Sequence, residues 1–278
     1  MTENLAEQLA LLPEYFRGHL ALTFIALVIG IAISLPLGVW AAQAPRVKRP
    51  LLTLVSIIQT FPSVAILALV VAMLGGRIGS LPAIIALVLY SILPIVRNTV
   101  TGLENVAEEV VTAARGIGMS PRQILTKVRI PLALPVIIAG IRTATVWTVG
   151  LATLSTLVGA SSFGNYIFTG LQTRNLLAVS VGSLAAAFMA VILDSIIGGL
   201  QWLAVNRNAG ARSARYRAVK ILVITGLTSV LGVSVYSSLP DEEVDIVIGG
   251  KGFTEQYIVA GAVEEVLQEA GFTTEQRL

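Results

Sequence analysis

Apolar residues run along this chain in six long blocks, separated by clusters of charged and turn-forming residues. The blocks cover about residues 19–42, 51–74, 80–100, 132–160, 176–203 and 219–239. Each is long enough, at roughly 1.5 Å per helical residue, to cross about 30 Å of hydrocarbon. The pattern predicts an all-α polytopic membrane protein with about six transmembrane helices, preceded by a mixed, slightly amphipathic segment over 1–18. Pro36, Pro62 and Pro94 interrupt blocks, and Pro131 and Pro135 lie at the start of the fourth. Membrane helices tolerate such breaks where neighbours or water satisfy the freed carbonyls. Each proline is therefore either a flexing point or a static kink.

One long polar stretch, residues 104–131, stands between the third and fourth blocks. Val106, Val110, Ala113 and Ile117 recur at helical spacing along one face. Gly116 and Gly118 weaken that helix. Ser120-Pro121-Arg122-Gln123 restarts it, with serine as cap, proline at the first position and glutamine completing a capping box. Pro131 is expected to stop the second helix. Two short amphipathic helices result, joined by a glycine bend and carrying Arg115, Arg122, Lys127 and Arg129. Such a loop either lies on lipid headgroups or docks a partner.

Composition agrees with the bilayer. An apolar content of 55%, a charged content of 13% and a mean hydropathy of +0.83 exclude an ordinary soluble domain. There is no cysteine, hence no disulfide or thiolate metal site, and no metal-ligand spacing appears. The single histidine, His19, reads as an interfacial side chain at a helix end rather than a catalytic one. The basic excess is confined to loops and does not argue for nucleic acid. Thirteen of the 19 basic residues fall in three alternate loops: Arg46, Lys48 and Arg49; Arg97, Arg115, Arg122, Lys127 and Arg129; and Arg207, Arg212, Arg215, Arg217 and Lys220. The positive-inside rule makes these loops cytoplasmic and puts both termini outside. The N-terminus is acidic and shows no cleavable signal peptide.

Two ionisable residues lie inside blocks, Arg142 in the fourth and Asp194 in the fifth. Charge at such depth is costly and faces protein or a water-filled cavity. The two either line an inner vestibule, form a packing ion pair or snorkel. The segment 159–166, rich in small residues, is either a docking surface or a tight re-entrant connection.

The pattern changes at Pro240. Residues 244–250 read as a strand ending in glycines, and 254–270 as an amphipathic helix with Ile258, Ala262, Val266 and Leu267 on its apolar side. Gly271 is a natural stop. About forty residues cannot bury a core of their own, so 241–278 is expected to be the incomplete start of an extracellular α/β domain following a 1–240 transmembrane domain. Gly249-Gly250-Lys251-Gly252 lacks the spacing and the hydroxyl residue of a phosphate loop. No catalytic constellation appears, and the chain is not expected to be an enzyme.

The polar stretch resembles the coupling loop of ATP-binding-cassette importer permeases. Thr112-Ala113-Ala114, then Gly118, then Val128-Arg129-Ile130-Pro131 match that family's spacing, with Thr112 where the family has glutamate. Longer stretches are similar to the glycine betaine, carnitine and choline permeases. These are Ile58-Gln59-Thr60-Phe61-Pro62-Ser63, residues 118–123 and 139–145, and, in the tail, Phe253-Thr254-Glu255-Gln256-Tyr257, which is similar to the start of those systems' substrate-binding protein. The resemblance implies a type I importer permease fold in the bacterial inner membrane, working as a homodimer with two cytoplasmic ATPase subunits. ATP and magnesium would bind those subunits, and no cofactor this chain. It implies ATPase contacts from Ala113, Ala114, Arg115, Gly116, Gly118, Met119, Ser120, Pro121 and Arg122. Ala113, Ala114 and Gly118 would permit close approach and Met119 would enter an apolar groove. Arg142, Asp194 and Pro62 are pathway candidates. Thr254, Glu255, Gln256 and Tyr257 would lie near a ligand cleft for a quaternary ammonium solute, although Tyr257 reads equally well as an ordinary helix-face residue. The competing readings are an importer of another small solute such as an amino acid, a secondary transporter or channel, and a membrane anchor.

Overall fold

The computed structural model describes residues 2–206, 214–237, 246–249, 254–270 and 274–277. It opens with α1 (Thr2–Gln43), which runs through Pro13 and Pro36, followed by α2 (Pro45–Thr60), α3 (Ser63–Met73) and α4 (Ser80–Glu104). The polar stretch folds as α5 (Glu108–Gly116) and α6 (Pro121–Ile124), and a π-helical turn (Leu125–Arg129) joins α6 to α7 (Ile130–Ala152). A 3-10 segment (Thr153–Val158), α8 (Gly164–Gln172), α9 (Leu176–Val205) and α10 (Ala214–Ser237) follow. Finally β1 (Ile246–Gly249) pairs in parallel with β2 (Thr274–Arg277) across α11 (Thr254–Glu269).

Among the described residues, five stretches are long and apolar enough to cross a bilayer: Gln8–Gln43, Ser80–Glu104, Pro121–Val158, Leu176–Val205 and Tyr216–Tyr236. The second expected span is interrupted at Pro62, where the sequence places a flexing point or a kink. It is the pair α2 and α3, bent by 99° at Phe61-Pro62. Proline disfavours helical backbone at the residue before it, and here Phe61 is extended, with φ −70° and ψ 140°. Side-chain hydrogen bonds tie the break to α4. Tyr90 Oη donates to the Phe61 carbonyl at 2.6 Å, and Gln59 Nε2 donates to the Tyr90 carbonyl at 3.0 Å.

The core sits around α4, whose Ile95 and Val96 are fully buried. Small residues let its neighbours close on it. A Cβ at Gly30 of α1 would lie 2.1 Å from Ser91 Oγ, and one at Gly38 would lie 2.6 Å from Thr99 Cβ. On the other flank, a Cβ at Gly140 of α7 would lie 2.5 Å from Asn98 Cβ. Membrane helices gain by such approach because lipid supplies no hydrophobic drive between them. Beyond α7, helices α9 and α10 follow in turn, and α10 packs back on α1.

One further expectation changes, and two open ones take a definite form. Pro131 does not stop a helix, because the π-helical turn before it shifts the ladder, Ile130 N–H bonding to the Leu125 carbonyl, and the helix runs on through α7. Residues 159–166 take the form of a tight connection: Gly159 is left-handed at φ +81°, and Ser162 Oγ and Asn165 Oδ1 both bond Thr156 Oγ1. On α11 the apolar residues Ile258, Ala262 and Val266 are exposed, whereas Ala260 is buried and Glu264 accepts from Thr274 of β2. No described residue covers that apolar side. Arg207, Arg212, Pro240, the acidic run 241–243, residues 250–252 and Gly271 lie outside the described residues.

Candidate functional site

Two places gather the expected residues, the loop between α4 and α7 and the interface of α7 with α9. In the loop, Val111, Ala114 and Ile124 form a small buried core, with Val106, Met119 and Val128 packed against it. The inward face of α5 is therefore one position on from the face expected. Val110 and Ile117 point away, and Ile117 is 81% exposed. A helical period defines a stripe, and two stripes of α5 are apolar. Only the packing of α6 selects between them.

Gly118 makes the bend at φ +83°, where an L side chain is strained, although a Cβ there would meet nothing within 4 Å. The expected capping box forms, with Gln123 N–H donating to Ser120 Oγ at 3.4 Å and Ser120 N–H donating to Gln123 Oε1 at 2.8 Å. Glu108 accepts from Arg115 at 3.4 Å and lies 3.9 Å from Arg129. Lys48 of α2 reaches Glu104 at 2.6 Å, tying α2 to the root of the loop. Of the residues expected to contact a partner, Ala113, Arg115, Gly116, Gly118, Ser120, Pro121 and Arg122 are exposed. Ala114 and Met119 instead hold the loop together from inside. The outcome is a surface-exposed platform on a small core of its own, with an apolar tip at Ile117 beside basic groups.

In the helical bundle, Arg142 of α7 and Asp194 of α9 do meet. Arg142 Nε donates to Asp194 Oδ1 at 2.8 Å and Nη2 to Oδ2 at 2.6 Å, a bidentate pair. Nη1 donates to Gln201 Oε1 at 2.9 Å, and Gln201 Nε2 donates in turn to the Pro135 carbonyl at 2.9 Å. Gly198 lets the guanidinium approach α9, since a Cβ there would lie 3.3 Å from Arg142 Cζ. Arg142 stands twelve residues into α7 and Asp194 eleven residues before the end of α9, roughly 18 and 16 Å along their helices. The pair thus sits near the middle of its spans. It lines an open cleft of about 420 Å³ together with Ala139, Thr143, Val146, Trp147 and Gln201. Pro62 lies at the α2–α3 break, exposed and away from this cleft's lining.

His19 carries a role that the sequence pattern did not signal. It is fully buried rather than interfacial. Its Nδ1 accepts from Phe163 N–H at 3.2 Å, so Nε2 bears the proton and donates to the Val149 carbonyl at 3.0 Å. One neutral ring thereby joins α1, α7 and the connection before α8, and it packs 4.8 Å from the Phe163 ring. The partners lie 130 and 144 residues away in sequence. Thr254, Glu255, Gln256 and Tyr257 form the first turn of α11, and their side chains lie outside the described residues.

Comparison with known proteins gives this geometry a setting. Residues 34–209 match the family described as binding-protein-dependent transport system inner membrane component. The chain is 40% identical over 179 residues to the glycine betaine/carnitine/choline transport system permease protein OpuCB of Bacillus subtilis, covering 64% of this chain and 82% of that one. It is 34% identical over 254 residues to the ergothioneine transport permease/ergothioneine binding protein EgtU of Helicobacter pylori, covering 88% of this chain and 44% of that longer one. Among solved structures, the inward-facing MetNI methionine ABC transporter superposes with a TM-score of 0.60 at 24% identity, over 79% of this chain and 99% of that one. That last likeness is one of fold.

Proposed function

The chain belongs to the family of binding-protein-dependent transport system inner membrane components, and from that premise we propose that it is the membrane-spanning permease of an ATP-driven importer of quaternary ammonium solutes. The observation that carries the proposal is the 40% identity to a glycine betaine/carnitine/choline permease across 82% of that protein. Two copies pair in the bacterial inner membrane with both termini outside. Two cytoplasmic ATPase subunits, which hold ATP and magnesium, grip the loop between α4 and α7. Closure of the ATPases presses the paired loops together and turns the bundle outward. Ala113, Arg115, Gly116, Ile117, Gly118, Ser120, Pro121 and Arg122 make the contact, with Ala114 and Met119 stiffening it from beneath. The broken span at Pro62 and the Arg142–Asp194 pair belong to the pathway. Residues 241–278 begin a receptor domain, and Thr254, Glu255, Gln256 and Tyr257 lie near its ligand cleft. The fused permease and binding protein of Helicobacter pylori, matched over 254 residues, supports that part.

The same relative favours a second reading of the substrate. Ergothioneine, like glycine betaine and carnitine, joins a trimethylammonium group to a carboxylate. ATP-driven uptake of glycine betaine, choline and ergothioneine by vesicles holding the full-length protein and its ATPase separates the two.

The coupling role is tested in the same vesicles with Gly118→Trp and Gly118→Ala. Both replace a left-handed glycine, at about 1–3 kcal/mol of backbone strain, but only tryptophan adds bulk to the platform. Uptake should vanish with tryptophan and persist in part with alanine. Equal loss in both variants would reduce the role of Gly118 to loop shape, and uptake without any ATPase would overturn the importer reading.

A further inference from the structure

The Arg142–Asp194 pair has features that a sealed structural tie lacks. Its side chains remain 36% and 30% exposed near the middle of two spans. A charge left open at that depth faces water or protein rather than lipid. Three of the guanidinium's five N–H donors are engaged, two by Asp194 and one by Gln201, and the other two have no partner among the described residues. Trp147, half exposed, lines the same cleft five residues further along α7, as does Thr143. At about 420 Å³ the cleft is of small-molecule size.

We infer that this cleft is a transient binding station for a zwitterionic solute, with Arg142 taking its carboxylate and Asp194, with the face of Trp147, taking its quaternary ammonium group. The inference rests on the substrate class proposed above and assigns that class to residues. When the station is empty, the two charges neutralise each other, so no unpaired charge stands at a depth where it would be expensive. A zwitterion arriving there exchanges one internal ion pair for two external ones. Its carboxylate accepts from the guanidinium, and its cation replaces the guanidinium beside Asp194. Net charge stays zero throughout. Trp147 adds the ring face that attracts alkylated ammonium groups. Because the internal pair competes with the solute, binding is weak, as release to the far side requires. Gln201, bonded to both Arg142 and the Pro135 carbonyl, keeps the guanidinium in place during the exchange.

The test compares glycine betaine with choline, which carries the same cation and no carboxylate. Maximal ATP-driven uptake of each is measured at saturating solute in vesicles holding the permease, its receptor and its ATPase. Arg142→Gln should lower the betaine-to-choline rate ratio about tenfold, the scale of one lost charge-assisted contact, and Arg142→Lys should restore part of it. Asp194→Asn and Trp147→Ala should slow both solutes and leave the ratio near its wild-type value. If the pair only ties α7 to α9, Arg142→Gln will slow both solutes in the same proportion, and the station is wrong. A wild-type protein that moves neither solute while hydrolysing ATP would instead show that the substrate class itself is mistaken.

Discussion

A single side chain, His19, ties together α1, α7 and the connection before α8. Replacing it with alanine leaves the Phe163 N–H and the Val149 carbonyl without their partner, at about 1–3 kcal/mol for each buried group left unpaired. We expect His19→Ala to lower the unfolding temperature in detergent, and His19→Gln, which keeps a donor and an acceptor, to recover part of the loss. An unchanged transition would show that those groups find other partners. Nearby, Tyr166 of α8 is buried and donates to the Gln8 carbonyl. Burial, with the negative charge of Glu14 adding to it, pushes its phenol up from about 10 to about 12. A group whose folded value is raised adds stability that is complete below the unfolded value and lost as pH rises through the folded one. The contact of α8 with α1 should therefore loosen between about pH 10 and 12, read as the difference in phenolate absorbance and unfolding between wild type and Tyr166→Phe. Neither residue announced itself in the sequence. A lone histidine beside an apolar block has no periodicity to betray partners more than a hundred residues away. Arg142 and Asp194 were legible for the opposite reason, since charge inside an apolar block is rare enough to demand a partner.

At the scale of elements, the local chemistry of caps and turns was readable and the effect of proline was not. Ser120 and Gln123 form their box because both halves lie within one helical turn. Pro131 and Pro62 carry the same missing N–H, yet one lies in a continuous helix and the other marks a 99° bend. The π-helical turn accommodates Pro131, whereas Phe61 takes extended backbone and its carbonyl accepts from Tyr90 of α4. The seam of α1 on α4 provides a direct test. Gly30→Leu forces a side chain into the space of Ser91, and overpacking of this kind costs about 1–3 kcal/mol. It should lower the yield of folded protein and its unfolding temperature. Gly150→Leu, where a Cβ meets nothing within 4 Å, serves as the control. Equal behaviour of the two would mean that α1 and α4 can separate without loss.

Across the whole molecule, the sequence by itself determined the class of protein, the approximate spans, the polar platform and the presence of two intramembrane charges. These follow from local quantities: hydropathy summed over a helix length, turn chemistry within four residues, and the cost of isolated charge in hydrocarbon. Only the tertiary structure decided which stripe of α5 faces inward, that the second span is broken, that His19 is a buried tie, and that Arg142 and Asp194 open onto a cleft beside Trp147. Each of these depends on which helix lies next to which. The glycines at 30, 38 and 140 permit that arrangement, but a small residue records only that something comes close, and the partner is chosen when the helices pack.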